Sequence, residues 1–89
     1  MEYTYKTSGT CSRAIHFDIN DGIISNVSFD GGCNGNLKAV SALVDGKDAA
    51  YIAGLLSGIK CGFKNTSCGD QLARAVTEAA EAEKAGKAQ

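Results

Sequence analysis

Four cysteines are the residues of this chain with the widest range of chemistry. Cys11, Cys33, Cys61 and Cys68 are separated by 22, 28 and 7 positions. Thiolates bind zinc, exchange disulfides and act as nucleophiles. The closely spaced C-x-x-C pairs of zinc ribbons and thiol oxidoreductases are absent from the sequence. Spacing alone therefore leaves open a metal site, a redox pair and a set of buried, space-filling side chains.

The predicted positions of the cysteines favour a chemical role over filling of the core. Cys33 and Cys68 each fall at the start of a predicted helix, where unpaired amides and the helix dipole stabilise a thiolate. Cys11 precedes a predicted strand, and Cys61 lies between the second and third predicted helices. Thiols that only fill the core belong at inward positions such as Ile15. We predict a zinc site formed by all four cysteines, and the alternative is a redox pair of Cys61 and Cys68.

Hydrophobic periodicity predicts the elements that carry these thiols. Residues 13–20 alternate between apolar and polar, which is typical of a half-buried strand, and residues 23–29 supply its hairpin partner. The alternation of Tyr3 and Tyr5 indicates a further short strand, at an edge of the sheet. The predicted fold is α+β: a small antiparallel β-hairpin or three-stranded sheet packed on three helices.

The register of the hairpin depends on its loop. A two-residue loop, Asp21-Gly22, would place Ser28 on the core face. A three-residue loop instead pairs Ile19 with Ile23 and keeps the apolar side chains together, so we predict the longer loop.

Three helices are predicted after the hairpin. The first runs from near Asn34 to near Gly46, and the second runs from about Asp48 to Gly58. The third begins at residues 66–67. The predicted inward positions are Leu37, Val40, Leu43 and Val44 in the first helix, Ala49, Ile52, Leu55 and Leu56 in the second, and Leu72, Ala75, Val76 and Ala79 in the third. We predict one domain over residues 1–89, with 81–89 as a frayed tail.

Two further segments have the composition of binding sites. Gly31, Gly32, Asn34, Gly35 and Asn36 surround Cys33 between a strand and a helix, where exposed amides can hold an anion, although a tight turn explains the same pattern. Thr66, Ser67 and Asp70 surround Cys68, and Ser67 with Asp70 forms the Ser-x-x-acid arrangement that caps a helix. The single histidine, His16, falls on the polar face of its strand, which is typical of a surface residue.

Composition restricts the function further. The chain has 89 residues, 44% of them apolar, and a formal charge of -1. Without excess positive charge it is not expected to bind nucleic acid. No apolar run approaches the roughly 20 residues of a membrane span. We predict a cytosolic protein with a thin core, in which thiols stay reduced and a metal would add stability.

The segments GTCS, GGCNGNL and GIKCGFKNTSCGDQLA together resemble the small TSCPD-domain proteins, named for a Thr-Ser-Cys-Pro-Asp signature. The likeness extends from Tyr3 to Val76 and includes every cysteine. Gly69 stands where the signature has proline. Because glycine leaves the unfolded chain more flexible, Gly69→Pro is expected to stabilise the domain by about 0.4–1 kcal/mol.

The resemblance implies a link to deoxyribonucleotide synthesis. Similar domains form the C-terminal end of cobalamin-dependent ribonucleotide reductases, so ribonucleotide reductase or a related enzyme is the expected partner, and a nucleotide is a further candidate ligand. A chain of 89 residues is expected to be too short for the catalytic subunit. The resemblance thus implies an accessory module, with a thiol donor or a structural interaction domain as alternatives.

Overall fold

The computed structural model describes residues 1–10, 12–31, 34–60 and 66–87, without the side chains of residues 34, 36 and 87. The elements are β1 (Glu2–Lys6), β2 (Ser12–Asn20), β3 (Ile23–Gly31), α1 (Asn34–Val44), β4 (Lys47–Asp48), α2 (Ala49–Leu56) and α3 (Cys68–Lys87). The α+β prediction is confirmed. The helices begin and end within about two residues of their predicted limits, except for the end of α3.

The strands form a four-stranded antiparallel sheet in the order β1-β2-β3-β4. The predicted strand around Tyr3 and Tyr5 is β1, and it lies at the edge of the sheet as expected. β4 was not predicted, because two residues are too few to show an alternation. It pairs with the first two residues of β3 and ends directly before α2.

The predicted hairpin register is wrong. Asn20 pairs with Ile23 and Ile19 pairs with Ile24, so the loop contains only Asp21 and Gly22. Both loop residues have positive φ, 51° and 80°, which matches the type I′ turn favoured by Asp-Gly. In this register Ile24 is fully buried and Ile23 is 41% exposed.

A bulge in β3 explains why the short loop does not place Ser28 on the core face. Between the pairs Asp18–Ser25 and His16–Ser28, β2 advances by two residues and β3 by three. Asn26 supplies the extra residue with φ 54°, a conformation that asparagine tolerates better than most residues. The bulge exchanges the two faces of β3, so that Phe29, rather than a serine, lies opposite Ile15.

The core lies between the sheet and the helices. Its buried apolar side chains are Ile15, Phe17, Ile19, Ile24, Val44, Ala49, Ile52, Leu72, Ala75, Val76 and Ala79. All four inward positions predicted for α3 are confirmed. Two predicted inward positions are wrong, since Leu43 and Leu55 are 74% and 58% exposed. The buried stripe of α1 and that of α2 are therefore each narrower than the apolar stripe predicted from the sequence.

α3 continues well beyond the predicted beginning of a frayed tail. It is helical to Lys87, and the Glu83 side chain is only partly exposed. The Glu83 carboxylate accepts hydrogen bonds from the backbone N–H groups of Asp21 and Gly22, both at 2.9 Å. These hydrogen bonds therefore anchor the last turns of α3 to the β2–β3 turn. In the described part of the chain, no helix is long and apolar enough to cross a membrane.

Candidate functional site

The first turn of α3 forms the base of the candidate site. The Ser67 hydroxyl accepts the backbone N–H of Asp70 at 3.0 Å and donates to the carbonyl of Ile59 at 2.6 Å. The N–H of Gln71 donates to the Ser67 carbonyl at 2.9 Å, which is the first bond of the helix. Ser67 is thus the N-cap, as predicted, and Cys68 is the first helical residue.

Asp70 is a buried carboxylate held by three donors. One oxygen accepts the Thr66 hydroxyl in a very short hydrogen bond and lies 3.2 Å from Arg74 Nη2. The other oxygen accepts the N–H of Gly58 at 2.7 Å. The Thr66 hydroxyl and the Gly58 N–H hold the pKa of Asp70 below its ordinary value, against the opposing effect of burial. Asp70 therefore joins the end of α2 to the start of α3.

Gln71 extends this network and was missed by sequence analysis. It is 1% exposed, and its amide donates to Thr66 Oγ1 at 3.0 Å. Its carbonyl oxygen accepts the N–H of Ser8 at 3.2 Å. A signal for its burial was present, because Gln71 lies four residues before the inward-facing Ala75. Gln71 fixes the segment that leads to Cys11 against the helix that begins at Cys68.

Cys68 itself is half-buried beside a row of hydroxyl groups. Its Sγ lies 3.3 Å from Ser12 Oγ, and Ser12 Oγ lies 3.2 Å from Thr10 Oγ1. Ser12 is only 4% exposed. A second bulge explains this burial: between the pairs Ser12–Gly31 and Ala14–Asp30, β2 advances by two residues and β3 by one, which turns Ser12 towards the helices.

The other predicted ligands cannot be placed. Cys11, Cys33, Cys61 and Gly32 lie outside the described residues. Among the residues that are described, no group of three or more His, Cys, Asp or Glu side chains could hold a metal ion. The four-cysteine zinc site therefore stays a prediction.

The glycine-rich segment is described in part. Gly31 ends β3 with φ 82°, and the backbone of residues 34–36 forms the first turn of α1. Gly35 is exposed, and apart from its chain neighbours and the backbone of its own helix no described atom lies within 4 Å of the position of a Cβ. The two residues between β3 and α1 lie outside the described residues, so the tight turn and anion binding both stay predictions.

His16 lies on the solvent-facing side of the sheet, as expected. Its Nε2 lies 2.7 Å from the Asp30 carboxylate, and its Nδ1 lies 3.1 Å from Thr4 Oγ1. The side chain is 40% exposed. These contacts join three neighbouring strands and leave His16 on the face of the sheet opposite to the core.

Residues 2–80 match the model of the TSCPD domain. The chain belongs to the TSCPD domain family. The match covers nearly the whole chain and confirms the resemblance inferred from the cysteine-containing segments. Neither the curated proteins nor the solved structures gave a match.

Gly69 is the position at which this TSCPD domain departs from the signature. It is the second residue of α3, and its φ lies outside the left-handed region. A Cβ added there would lie 3.7 Å from Ser67 Oγ and 3.8 Å from Leu56 Cδ2, which are ordinary contacts. The position therefore has room for a larger residue.

We expect Gly69→Ala to raise the free energy of unfolding by about 0.4–1 kcal/mol, because alanine restricts the unfolded chain without strain in the folded one. The gain of about 0.4–1 kcal/mol expected from the sequence for Gly69→Pro is too large, since Cys68 is helical and a helical conformation is disfavoured before proline. Proline should therefore gain less than alanine. Urea unfolding of the two variants measures the difference. Gly58→Ala is the control with the opposite sign, since Gly58 has φ 85°. A Gly69→Ala protein less stable than the wild type would contradict the described start of α3.

Proposed function

We propose that this TSCPD domain is a zinc-binding accessory module, in which Cys11, Cys33, Cys61 and Cys68 supply four thiolates to one metal ion. Zinc binds four thiolates in tetrahedral geometry, and such structural sites are common in small domains. When bound, it would supply a structural crosslink between distant segments rather than a reactive centre.

The observation that carries this proposal is the convergence of the described residues that flank the cysteines. Ser12, which follows Cys11, contacts Cys68 Sγ and pairs with Gly31, two residues before Cys33. The carbonyl of Ile59, two residues before Cys61, accepts the hydroxyl of Ser67. Consecutive Cα atoms are about 3.8 Å apart, so chain connectivity limits how far each cysteine can be from these neighbours.

The surroundings of Cys68 also suit a thiolate ligand. The residue begins α3, where free amides and the helix dipole favour negative charge. The nearby Ser12 hydroxyl can donate to the sulfur, and hydrogen bonds of this kind orient metal ligands and tune their affinity. The hydrogen bonds of Asp70 and Gln71 join the start of α3 to the segments that lead to Cys61 and Cys11. These bonds do not depend on a bound metal. These features support Cys68 as a positioned ligand.

The proposed cellular role rests on the family resemblance. Domains similar to this one form part of cobalamin-dependent ribonucleotide reductases, so we infer that the module assists deoxyribonucleotide synthesis by binding such an enzyme. The alternative is a redox role for Cys61 and Cys68. It rests on the same hydrogen bond between Ser67 and Ile59, which links the segment before Cys61 to the residue that precedes Cys68.

The zinc proposal is tested on protein that is purified without chelator and without a metal-affinity tag. We expect close to one zinc ion per chain by mass spectrometry, released in proportion when a mercurial reagent titrates the four thiols. Cys68→Ser should lose most of the zinc. Ser12→Ala is the matched control: it should keep the stoichiometry but lower zinc affinity by about 10- to 100-fold, because it removes a contact to a ligand and not the ligand.

The outcomes separate the candidate functions. Protein without zinc that forms a reversible Cys61–Cys68 disulfide, and reduces a partner disulfide, would support the thiol donor instead. The partner is tested with a purified cobalamin-dependent ribonucleotide reductase from which the C-terminal cysteine domain has been removed. Turnover that rises when the module is added would support the accessory role, and unchanged turnover would count against it.

A further inference from the structure

β1 is the outermost strand of the sheet on one side. It pairs with β2 along one edge, and within the described part of the chain no strand pairs with its other edge. Open edges present unpaired N–H and C=O groups and are sites for pairing with another strand. The sequence of β1, Glu2–Lys6, favours one particular partner strand.

The backbone directions in β1 follow from two hydrogen bonds that lie at its ends. The Ile19 N–H donates to the Met1 carbonyl at 2.9 Å, and the Thr7 N–H donates to the Arg13 carbonyl at 3.1 Å. Bonding alternates from residue to residue in an antiparallel pair. Odd-numbered residues of β1 therefore bond to β2, and Glu2, Thr4 and Lys6 direct their N–H and C=O groups to the open edge.

The same three residues make the strand complementary to itself. An antiparallel β1 from a second copy, related by a two-fold axis at Thr4, overlaps the full length of the strand. Residues 2, 3 and 4 then pair with residues 6, 5 and 4 of the second copy. Glu2 then lies opposite Lys6 of the second copy, and Thr4 lies opposite Thr4. Both ends of the pair bring opposite charges together, which stabilises cross-strand pairs.

We infer that β1 is a homodimerisation edge, at which two copies of this chain join their sheets into one antiparallel sheet of eight strands. The outward groups of Glu2, Thr4 and Lys6 give six backbone hydrogen bonds in this register. A slip by two residues keeps the bonding pattern but loses overlap and separates the charges. Charge complementarity and bonding pattern thus select the same alignment.

The side chains of β1 are arranged to continue across such a junction. Tyr3 and Tyr5 are half-buried on the core face, and the Tyr3 ring packs near Phe17 with centroids 5.6 Å apart. The Tyr3 hydroxyl donates to the Glu78 carboxylate at 2.5 Å, which fixes the strand to α3. In the dimer each Tyr3 lies opposite the Tyr5 of the second copy, so the aromatic row extends over both sheets and the helices stay on one side.

Analytical ultracentrifugation of the full chain over a range from micromolar to millimolar tests this inference. A five-residue edge buries little surface, so the expected dimer is weak and its population rises over this range. Lys6→Glu and Glu2→Lys should each weaken dimerisation by about tenfold or more, because each places like charges opposite one another twice. An equimolar mixture of the two variants should associate again, since each chain then finds opposite charges in the other.

A charge reversal away from β1 serves as the control in the same experiment. Lys38→Glu changes the net charge as Lys6→Glu does, but on the exposed surface of α1, and should leave dimerisation unchanged. A wild type that is monomeric at millimolar concentration overturns the inference, as does a dimer that none of the β1 variants weakens. Failure of the mixture to associate would also overturn it. Circular dichroism of each variant checks that the fold is retained.

Discussion

Ile24→Ala is expected to lower the free energy of unfolding by about 2–5 kcal/mol, whereas Ile23→Ala should lower it by less than about 1 kcal/mol. The two isoleucines are adjacent in sequence and identical in chemistry. Ile24 is fully buried among the core side chains, while Ile23 is 41% exposed. Truncation of the buried side chain removes packing and leaves a cavity, whereas truncation of the exposed one removes less packing and leaves no enclosed cavity.

Urea unfolding of the two variants measures this difference and also tests the hairpin register. A three-residue loop would direct Ile23 inward and reverse the order of the two effects. Equal losses, or a larger loss for Ile23→Ala, would contradict the two-residue turn at Asp21-Gly22 and the bulge at Asn26.

Asp70→Asn is expected to lower the free energy of unfolding at neutral pH by about 1.5–3 kcal/mol. The carboxylate accepts both the Thr66 hydroxyl and the Gly58 N–H, with one oxygen for each. An asparagine has only one acceptor oxygen, so one of these donors would face an amide group inside the protein. Because Asp70 is 3% exposed, water cannot replace the lost bond.

The effect of Asp70 depends on pH in a defined direction. Its pKa in the folded state is lowered from the ordinary 3.8 by the hydrogen bonds from Thr66 and Gly58. The unfolded chain therefore takes up the proton first as pH falls, and the stability that the carboxylate contributes is complete well above pH 3.8 and declines below it. The difference between wild type and Asp70→Asn should accordingly narrow below that pH.

Two variants separate the contributions to this site. Arg74→Ala should cost less than about 1 kcal/mol, because the arginine side chain is 57% exposed and its ion pair is weakened by solvent. Thr66→Val should cost more and should be strongly coupled to Asp70→Asn in a double-mutant cycle. A large effect of Arg74→Ala combined with a small one of Thr66→Val would show that the ion pair, and not the hydrogen bonds, holds Asp70.

The sequence by itself determined the features that depend on neighbouring residues. Alternation identified β1 and β2, and the helical spacing of Leu72, Ala75, Val76 and Ala79 identified the buried face of α3. Ser67 and Asp70 marked the start of α3, because a capping side chain bonds to an amide only three residues away. The cysteine-containing segments identified the TSCPD family, which the match over residues 2–80 confirms.

Only the tertiary structure decided the features that depend on contacts between distant segments. The bulge at Asn26 is stabilised by the side chains of Asp18 and Asp45, the latter in the turn after α1. The bulge before Ala14 brings Ser12 to Cys68, 56 positions later in the chain. Periodicity counts residues along one strand, and an inserted residue exchanges the faces without changing the composition. The face on which a side chain lies is therefore fixed by the partner strand and by the helix packed against it, and neither partner can be read from the local sequence.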